Sequence, residues 1–147
     1  MHLTEELARQ RLAAARIGRL ATVRADGRPH IVPIVFAVEG DTVYSIADPK
    51  PKRGLDLIRF RNIAAIPAVS LLVDHYDEDW NRLWWVRADG VARVVDDGPE
   101  RETAIRLLRT KYRQYGEWST PFGAAMVMTI ERISSWSLAP TPAAPRG

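Results

Sequence analysis

The sequence of 147 residues predicts a mainly β protein with flanking helices. Six short runs are rich in Val, Ile and Thr, and most consecutive runs are separated by only a few turn-forming residues. The elements follow in the order α-βββ-α-ββ-α-β. Connections this short cannot hold crossovers, so the strands are antiparallel. The pattern is typical of a β-barrel or an α+β roll and does not fit the βαβ alternation of a dinucleotide-binding fold.

The first helix is predicted over residues 4–16. Thr4 is a favourable N-cap residue, and Glu5 and Glu6 lie in the first turn, where the helix dipole favours acidic side chains. Gly18 ends the helix.

Three strands are predicted within residues 19–48, as a meander of two hairpins. Asp26-Gly27 separates the first run from the second, and residues 39–41 separate the second from the third. Pro33 lies inside the second run. Because proline has no N–H to donate to a sheet, this strand is expected at an edge, at a bulge or facing a ligand.

The remaining elements follow from the same patterns. They are predicted as a helix over 55–65, strands over 68–76 and 83–95 with a bend at Asp89-Gly90, a helix over 99–115 and a strand over 124–138. Residues 1–138 are thus expected to form one domain, and the proline-rich residues 139–147 a flexible C-terminal tail.

The composition excludes several classes of protein. The chain has no cysteine, which rules out a disulfide framework, thiolate nucleophiles and Cys-based zinc sites and suits a reducing compartment. No apolar run approaches the roughly 20 residues of a membrane span, and the acidic N-terminal residues do not fit a secretion signal. We therefore expect a cytoplasmic protein without a membrane partner.

The histidines and serines give no sign of a metal site or a hydrolase. His2, His30 and His75 are far apart and lack metal-ligand spacing, so no metal is expected. No serine lies in a G-x-S-x-G sequence.

A basic segment is the most informative part of the chain. Lys50, Lys52 and Arg53 precede the predicted helix over 55–65, whose N-terminal N–H groups would face the same space. Fixed donors, a helix dipole and positive charge together suit an anionic group such as a phosphate. The alternative is a solvated basic loop.

Trp84 and Trp85 are adjacent in a predicted strand and so face opposite sides of the sheet. One can join the core, and the other would meet a partner, a ligand or solvent. The alternative is two half-buried rings in a small core.

Taken together, these residues resemble the pyridoxamine 5'-phosphate oxidase-like superfamily of split β-barrel flavin and deazaflavin proteins. The matching segments are 20–23, 26–36 and 43–48 and the lysine-bearing loop before a short helix. The later part of the chain looks especially similar to the actinobacterial branch that uses the deazaflavin coenzyme F420. The resemblance covers about residues 5–138 and implies a six-stranded antiparallel split β-barrel of the FMN-binding type.

The resemblance also implies a homodimer with two cofactor sites at its interface. Lys52 would meet the cofactor's phosphate, helped by Arg53 and Lys50. The ring system would lie against the second and third strands, and the partner subunit would contribute from the fifth. By position the ring would meet Val32, Pro33, Ile34, Ile46 and Ala47, and the partner would contribute Trp85, Trp84 and Arg87. Ser45 and Thr22 could form hydrogen bonds to the cofactor.

The implied activity is hydride transfer from reduced F420 to a small electron-poor substrate, such as an enone, a quinone or a bilin-like pigment. No side chain needs to act as an acid, so no catalytic residue is named. Arg59 and Arg61 could extend a basic path for the polyglutamate tail of F420, although residues two apart do not share a helix face.

Three alternatives remain open at this stage. FMN is the alternative cofactor, since it also carries a phosphate. The protein could bind a cofactor as a carrier without turnover. Nucleic-acid binding is the third, but the net charge is only +3 and acidic residues lie beside the tryptophans, so no nucleic-acid partner is expected.

Overall fold

The computed structural model describes residues 1–47, 57–117 and 122–138. The strands are β1 Gly18–Val23, β2 Pro29–Ile34, β3 Ala37–Glu39, β4 Thr42–Ile46, β5 Ala68–His75, β6 Trp84–Val95 and β7 Ala125–Ser137. The helices are α1 Glu5–Ala14, α2 Ile58–Ala65, α3 Pro99–Lys111 and α4 Arg113–Glu117, with a 3-10 turn at Trp80–Arg82. None of the described helices is both long enough and apolar enough to span a membrane.

The strands form one antiparallel sheet in the order β2-β1-β5-β6-β7-β4-β3. The prediction of a mainly β fold with flanking helices is confirmed. β2 is an edge strand, where a proline without an N–H donor disrupts the fewest strand-pairing hydrogen bonds, and Pro33 lies in it. The predicted bend is also confirmed, because the β6–β7 register shifts between Asp89 and Gly90. A Cβ on Gly90 would collide with the carbonyl oxygen of Thr129.

The structure corrects the number of strands from six to seven. The run predicted as the second strand is divided at Val35 and Phe36, because β2 pairs with β1 whereas β3 pairs with β4. β2 and β3 are the two edges of the sheet and are joined by only these two residues. The sheet must therefore curl until its edges meet, which closes the barrel.

The side chains inside and around the barrel form two buried clusters. The larger contains Leu12, Leu20, Phe36, Leu71 and Met126, each at most 1% exposed, together with residues of α2. The smaller lies under α3 and α4 and includes Leu108, Tyr115 and Phe122. Burial of these apolar surfaces is the main favourable term in folding.

Three helix predictions change in extent. The first helix ends at Ala14, with Ala15 as its C-cap, and Gly18 begins β1. The helix predicted over 99–115 is interrupted at Tyr112, whose backbone takes an extended conformation (φ −116°, ψ 117°), and resumes as α4. The second helix is described from Ile58 to Ala65. Residues 139–147, predicted as a tail, lie outside the described residues.

Candidate functional site

A cleft of ≈ 420 Å³ opens where the end of β2, the strand β4, the helix α2 and the α3–α4 corner meet. It is lined by Ile17, Pro33, Ile34, Val35, Ser45, Ile46, Arg59, Tyr112, Gln114 and Tyr115. Its volume falls within the roughly 300–1,000 Å³ of ligand sites in proteins.

Four residues predicted to contact the cofactor meet in this cleft. Pro33 and Ile34 come from the end of β2, and Ser45 and Ile46 come from β4. The Ser45 hydroxyl donates a hydrogen bond of 3.1 Å to the carbonyl oxygen of Val35. This bond joins β4 to the segment that connects the two sheet edges. Closure of the barrel therefore places Ser45 and Val35 together at the cleft.

The hydroxyl of Tyr112, another cleft residue, forms hydrogen bonds with backbone groups. It lies 3.0 Å from the carbonyl oxygens of Arg16 and Phe36, and it accepts a hydrogen bond of 3.2 Å from the Phe36 N–H. Burial of the phenol raises the pKa of Tyr112. These bonds satisfy Phe36 where it leaves the strand ladder.

Lys111 lies beside this tyrosine. Its ammonium donates hydrogen bonds of 2.7 Å to the Ala15 carbonyl and 2.9 Å to the Phe36 carbonyl, and it lies 4.2 Å from the centre of the Phe36 ring. Burial, and secondarily the charge of Arg16, lower the pKa of Lys111 to about 8. The group is thus a partly desolvated cation behind the cleft wall.

The helix α2 places its two arginines in different hollows. Arg59 lines the cleft. Arg61 lines a second hollow of ≈ 420 Å³ together with Arg24, Asp26 and Asn62. The expectation that residues two apart on this helix do not share a face is confirmed.

Three other residues named from the sequence lie elsewhere. Val32 and Ala47 pack in the larger buried cluster and do not line the cleft. Thr22 is 1% exposed, and its hydroxyl accepts a hydrogen bond of 2.9 Å from the Asn62 amide. Thr22 therefore holds α2 to β1 in this structure.

Trp85 and Arg87 line a different cleft, of ≈ 450 Å³, on the outer face of the sheet. Trp85 is paired in register with Trp136, and Arg87 donates to the Asp89 carboxylate at 3.0 Å. Trp84, which also borders this cleft, packs against the larger buried cluster and stacks on His75 with ring centres 6.1 Å apart. Of the two adjacent tryptophans, only Trp84 packs against the buried clusters. This confirms that the two rings face opposite sides of the sheet.

The basic candidates Lys50, Lys52 and Arg53 lie outside the described residues. The structure also adds cleft residues that the sequence reasoning did not name: Ile17, Val35, Tyr112, Gln114 and Tyr115. The last three were assigned to one continuous helix. Only its interruption at Tyr112 turns them towards the cleft, and no simple sequence signal marks that interruption.

Comparison with known proteins identifies the family. A model of the family described as pyridoxamine 5'-phosphate oxidase matches residues 3–137. No curated protein matches the chain.

Solved structures share the fold. A FAD-binding protein from Mesorhizobium loti is 25% identical, with a TM-score of 0.70 over 92% of this chain and 95% of its own. A conserved hypothetical protein from Mycobacterium tuberculosis is 20% identical, with a TM-score of 0.71 over 92% of this chain and 85% of its own. The FAD binding protein from Mycobacterium smegmatis is 23% identical, with a TM-score of 0.62 over 92% and 98%. The antiparallel sheet with its flanking helices is thus the split barrel of these proteins, and the chain belongs to the pyridoxamine 5'-phosphate oxidase family.

Proposed function

We propose that the chain is an oxidoreductase that binds a flavin-type cofactor in the cleft between β2, β4 and the α3–α4 corner. The observation that carries this proposal is the convergence of Pro33, Ile34, Ser45 and Ile46 on one cleft that Arg59 also lines. Apolar walls with a few placed polar groups are typical of cofactor sites. The FAD-binding relative from Mesorhizobium loti supports a flavin-type ligand.

The residues of the cleft fit such a cofactor. A planar ring system can lie against the apolar side chains of Ile34 and Ile46. The guanidinium of Arg59 suits a phosphate or another anionic substituent, which it can contact through two parallel N–H groups. Lys52, Arg53 and Lys50 remain proposed phosphate contacts on the basis of the sequence.

The bound cofactor supplies hydride transfer to a small electron-poor substrate, such as an enone, a quinone or a bilin-like pigment. The chain's own contribution is to orient the reactants, exclude water and neutralise negative charge. Pro33 and Ile34 provide apolar lining, and Arg59 provides positive charge in the same cleft.

We further propose that the working unit is a homodimer whose second copy covers the cleft. The outer sheet face supports this, because Trp85, Trp136 and Leu72 are only half-buried there and Ile31 is 63% exposed. Apolar side chains of this size across one face are typical of interaction surfaces. A second copy would contribute Trp85 and Arg87 to the site of its partner.

The deazaflavin F420 is the specific cofactor that we propose. Its acidic tail is longer than a single phosphate and needs more than one cation along its path. Arg59 lines the cleft, and Arg61 and Arg24 line the second hollow, so the helix α2 offers positive charge on two of its sides. This spread of cations supports a ligand with an extended anionic chain.

A flavin nucleotide is the second candidate cofactor. It is favoured by the FAD-binding function of two structurally similar proteins, from Mesorhizobium loti and Mycobacterium smegmatis. The cleft residues named above suit the ring systems of both cofactors. A protein that binds the cofactor as a carrier, without turnover, is the remaining alternative.

Titration with F420, FMN and FAD, followed by absorbance and fluorescence, tests these proposals. We expect F420 to bind most tightly. Arg59→Gln should weaken binding about 10-fold or more, since it removes a charge-assisted contact. Arg61→Gln is the matched control, because it makes the same change two residues away and outside the cleft. It should weaken FMN binding less than Arg59→Gln does, since FMN has no acidic tail.

The outcomes separate the alternatives. Absence of binding by all three compounds would reject the proposed function. Tightest binding of FMN or FAD would reject F420 alone. Binding without reduction of any quinone, enone or bilin by the reduced cofactor would favour the carrier.

A further inference from the structure

The α3–α4 corner is held rigidly against the cleft. Lys111 and Tyr112 together bind three backbone carbonyls, those of Ala15, Arg16 and Phe36. The corner is therefore anchored both to the end of α1 and to the segment that joins the sheet edges. Groups held at several points in this way keep their positions when a ligand binds.

Aromatic packing fixes the other side of the corner. The ring of Tyr115 is 6% exposed and makes edge contacts with Tyr112, at 6.0 Å between ring centres, and with Phe122, at 5.4 Å. Gln114 lies between these two anchored tyrosines in sequence and lines the cleft. The backbone of Gln114 is thus placed by its neighbours.

The polar groups of the cleft differ in their availability to a ligand. The Ser45 hydroxyl already donates to Val35, and the Tyr112 hydroxyl is already bonded to backbone. Gln114 is exposed, and its amide makes no hydrogen bond to any other described residue. Its amide offers two N–H donors and one acceptor oxygen.

We infer that Gln114 is a specificity-determining residue of the cleft, which recognises a carbonyl group of the substrate, and that Lys111 and Tyr112 are its positioning residues. The inference rests on the proposed function, in which the hydride acceptor is an electron-poor compound. In an enone, hydride addition at the conjugated carbon gives an enolate, and in a quinone, reduction gives a hydroquinone anion, so in both the carbonyl oxygen gains negative charge. The Gln114 N–H groups can donate to that oxygen and so orient the substrate.

The inference predicts a selective effect on carbonyl substrates. Gln114→Leu should lower kcat/KM about 3- to 10-fold for menadione, a quinone, and for cyclohexenone, an enone, because a neutral hydrogen bond is lost. The Kd of the cofactor should stay unchanged. Gln10 is an exposed glutamine on α1, and Gln10→Leu is the matched control. It should change neither kcat/KM for the two substrates nor the Kd of the cofactor.

A second variant tests the positioning role. Tyr112→Phe keeps the ring but removes the hydroxyl that the Phe36 N–H donates to. We expect faster amide hydrogen exchange at Phe36 and a loss of kcat/KM for menadione and cyclohexenone similar to that of Gln114→Leu. Tyr76→Phe is the control, because its exposed hydroxyl bonds only Glu78 among the described residues.

The results separate this inference from the proposed function. If wild-type protein binds none of the cofactors, the proposed function fails, and the exchange rate at Phe36 still tests the anchoring by Tyr112. If the cofactor binds and Gln114→Leu leaves kcat/KM for both carbonyl substrates unchanged, the role of Gln114 is rejected. An equal loss of cofactor affinity in Gln114→Leu would also reject it.

Discussion

The hydroxyl of Ser45 in β4 donates to the carbonyl oxygen of Val35, 3.1 Å away, in the segment between β2 and β3. Ser45 is only 2% exposed, whereas Val35 is half-buried and lines the cleft. No strand pairing joins these two positions, because β4 pairs with β3 and β7. The hydrogen bond is therefore a direct tie between two walls of the cleft.

Replacement of this serine should destabilise the protein measurably. Ser45→Ala leaves the half-buried Val35 carbonyl without its side-chain donor, and loss of a neutral hydrogen bond costs about 0.5–1.5 kcal/mol. Urea denaturation measures the change in the free energy of unfolding. Ser134→Ala, a half-exposed serine in β7, should change it by about 0.5 kcal/mol or less. Equal effects of the two substitutions would contradict the importance of this bond.

The buried pair Thr22–Asn62 is expected to hold α2 in place. The Asn62 amide donates to the Thr22 hydroxyl at 2.9 Å, and the two residues are 7% and 1% exposed. Asn62→Ala should lower the free energy of unfolding by about 1–3 kcal/mol, since Thr22 loses a buried partner. It should also weaken the binding of an anionic ligand, because α2 carries Arg59.

A double-mutant cycle with Thr22→Val isolates this pair. We expect a coupling energy of about 0.5–3 kcal/mol between the two substitutions, as is usual for contacting residues. Strictly additive losses in the cycle would show that the pair does not act as a unit.

The sequence predicted the parts of this fold that depend on local chemistry. Pro33 marked an edge strand because proline lacks a donor, and Asp89-Gly90 marked the bend in β6. The division at Val35 and Phe36 escaped prediction, because β2 pairs with β1 and β3 with β4 at opposite edges of one sheet, and this exchange of partner depends on how the whole sheet closes. Local propensity carries no record of such pairing.

The candidate site was predictable to a similar degree. Residues of β2 and β4 were named because the family resemblance implies a cofactor ring against the second and third predicted strands. The contribution of Tyr112 and Gln114 depends on where α3 stops, and at that point Tyr112 bonds to Phe36, which is far away in sequence. Tertiary contacts of this kind override helix propensity.

Gly90 should be intolerant of substitution. A Cβ there would overlap the backbone carbonyl of Thr129 in β7, and backbone cannot move aside as cheaply as a side chain. Gly90→Ala should lower the free energy of unfolding by about 1–3 kcal/mol. Gly27→Ala is a control with open space around it, although its φ of 90° adds a separate backbone cost.

Thermal or urea unfolding of the two alanine variants distinguishes the causes. We expect Gly90→Ala to be the less stable of the two and to show altered hydrogen exchange in both β6 and β7. A smaller loss in Gly90→Ala than in Gly27→Ala would contradict the clash with Thr129.

The proposed homodimer predicts that the outer sheet face is sensitive to charge. Trp85→Glu places a carboxylate beside Trp136 and should shift a dimer towards monomer, because burial of an unpaired charge is costly. Size-exclusion chromatography with light scattering at micromolar concentration measures this. Trp80→Glu is the matched control, since Trp80 is 62% exposed in the 3-10 turn and does not line the outer-face cleft. A monomeric wild type would reject the dimer.

The charge state of Lys111 should make stability depend on pH. Burial lowers its pKa from 10.5 to about 8 in the folded protein, so between these values the unfolded chain binds the proton and the folded chain does not. Stability therefore rises with pH above about 8, and below that value the contribution is constant. In Lys111→Met the rise of the free energy of unfolding that is due to Lys111 is absent.

Measurement of the free energy of unfolding from about pH 7 to 9.5 tests the sign of this effect. The upper limit avoids the titration of Tyr112, whose raised pKa acts in the opposite direction at higher pH. We expect the difference between wild type and Lys111→Met to grow in favour of wild type as the pH rises above about 8. Lys111→Arg keeps its charge over this pH range. Its free energy of unfolding should therefore depend on pH in the same way as that of Lys111→Met. Parallel curves for wild type and Lys111→Met would contradict the lowered pKa of Lys111.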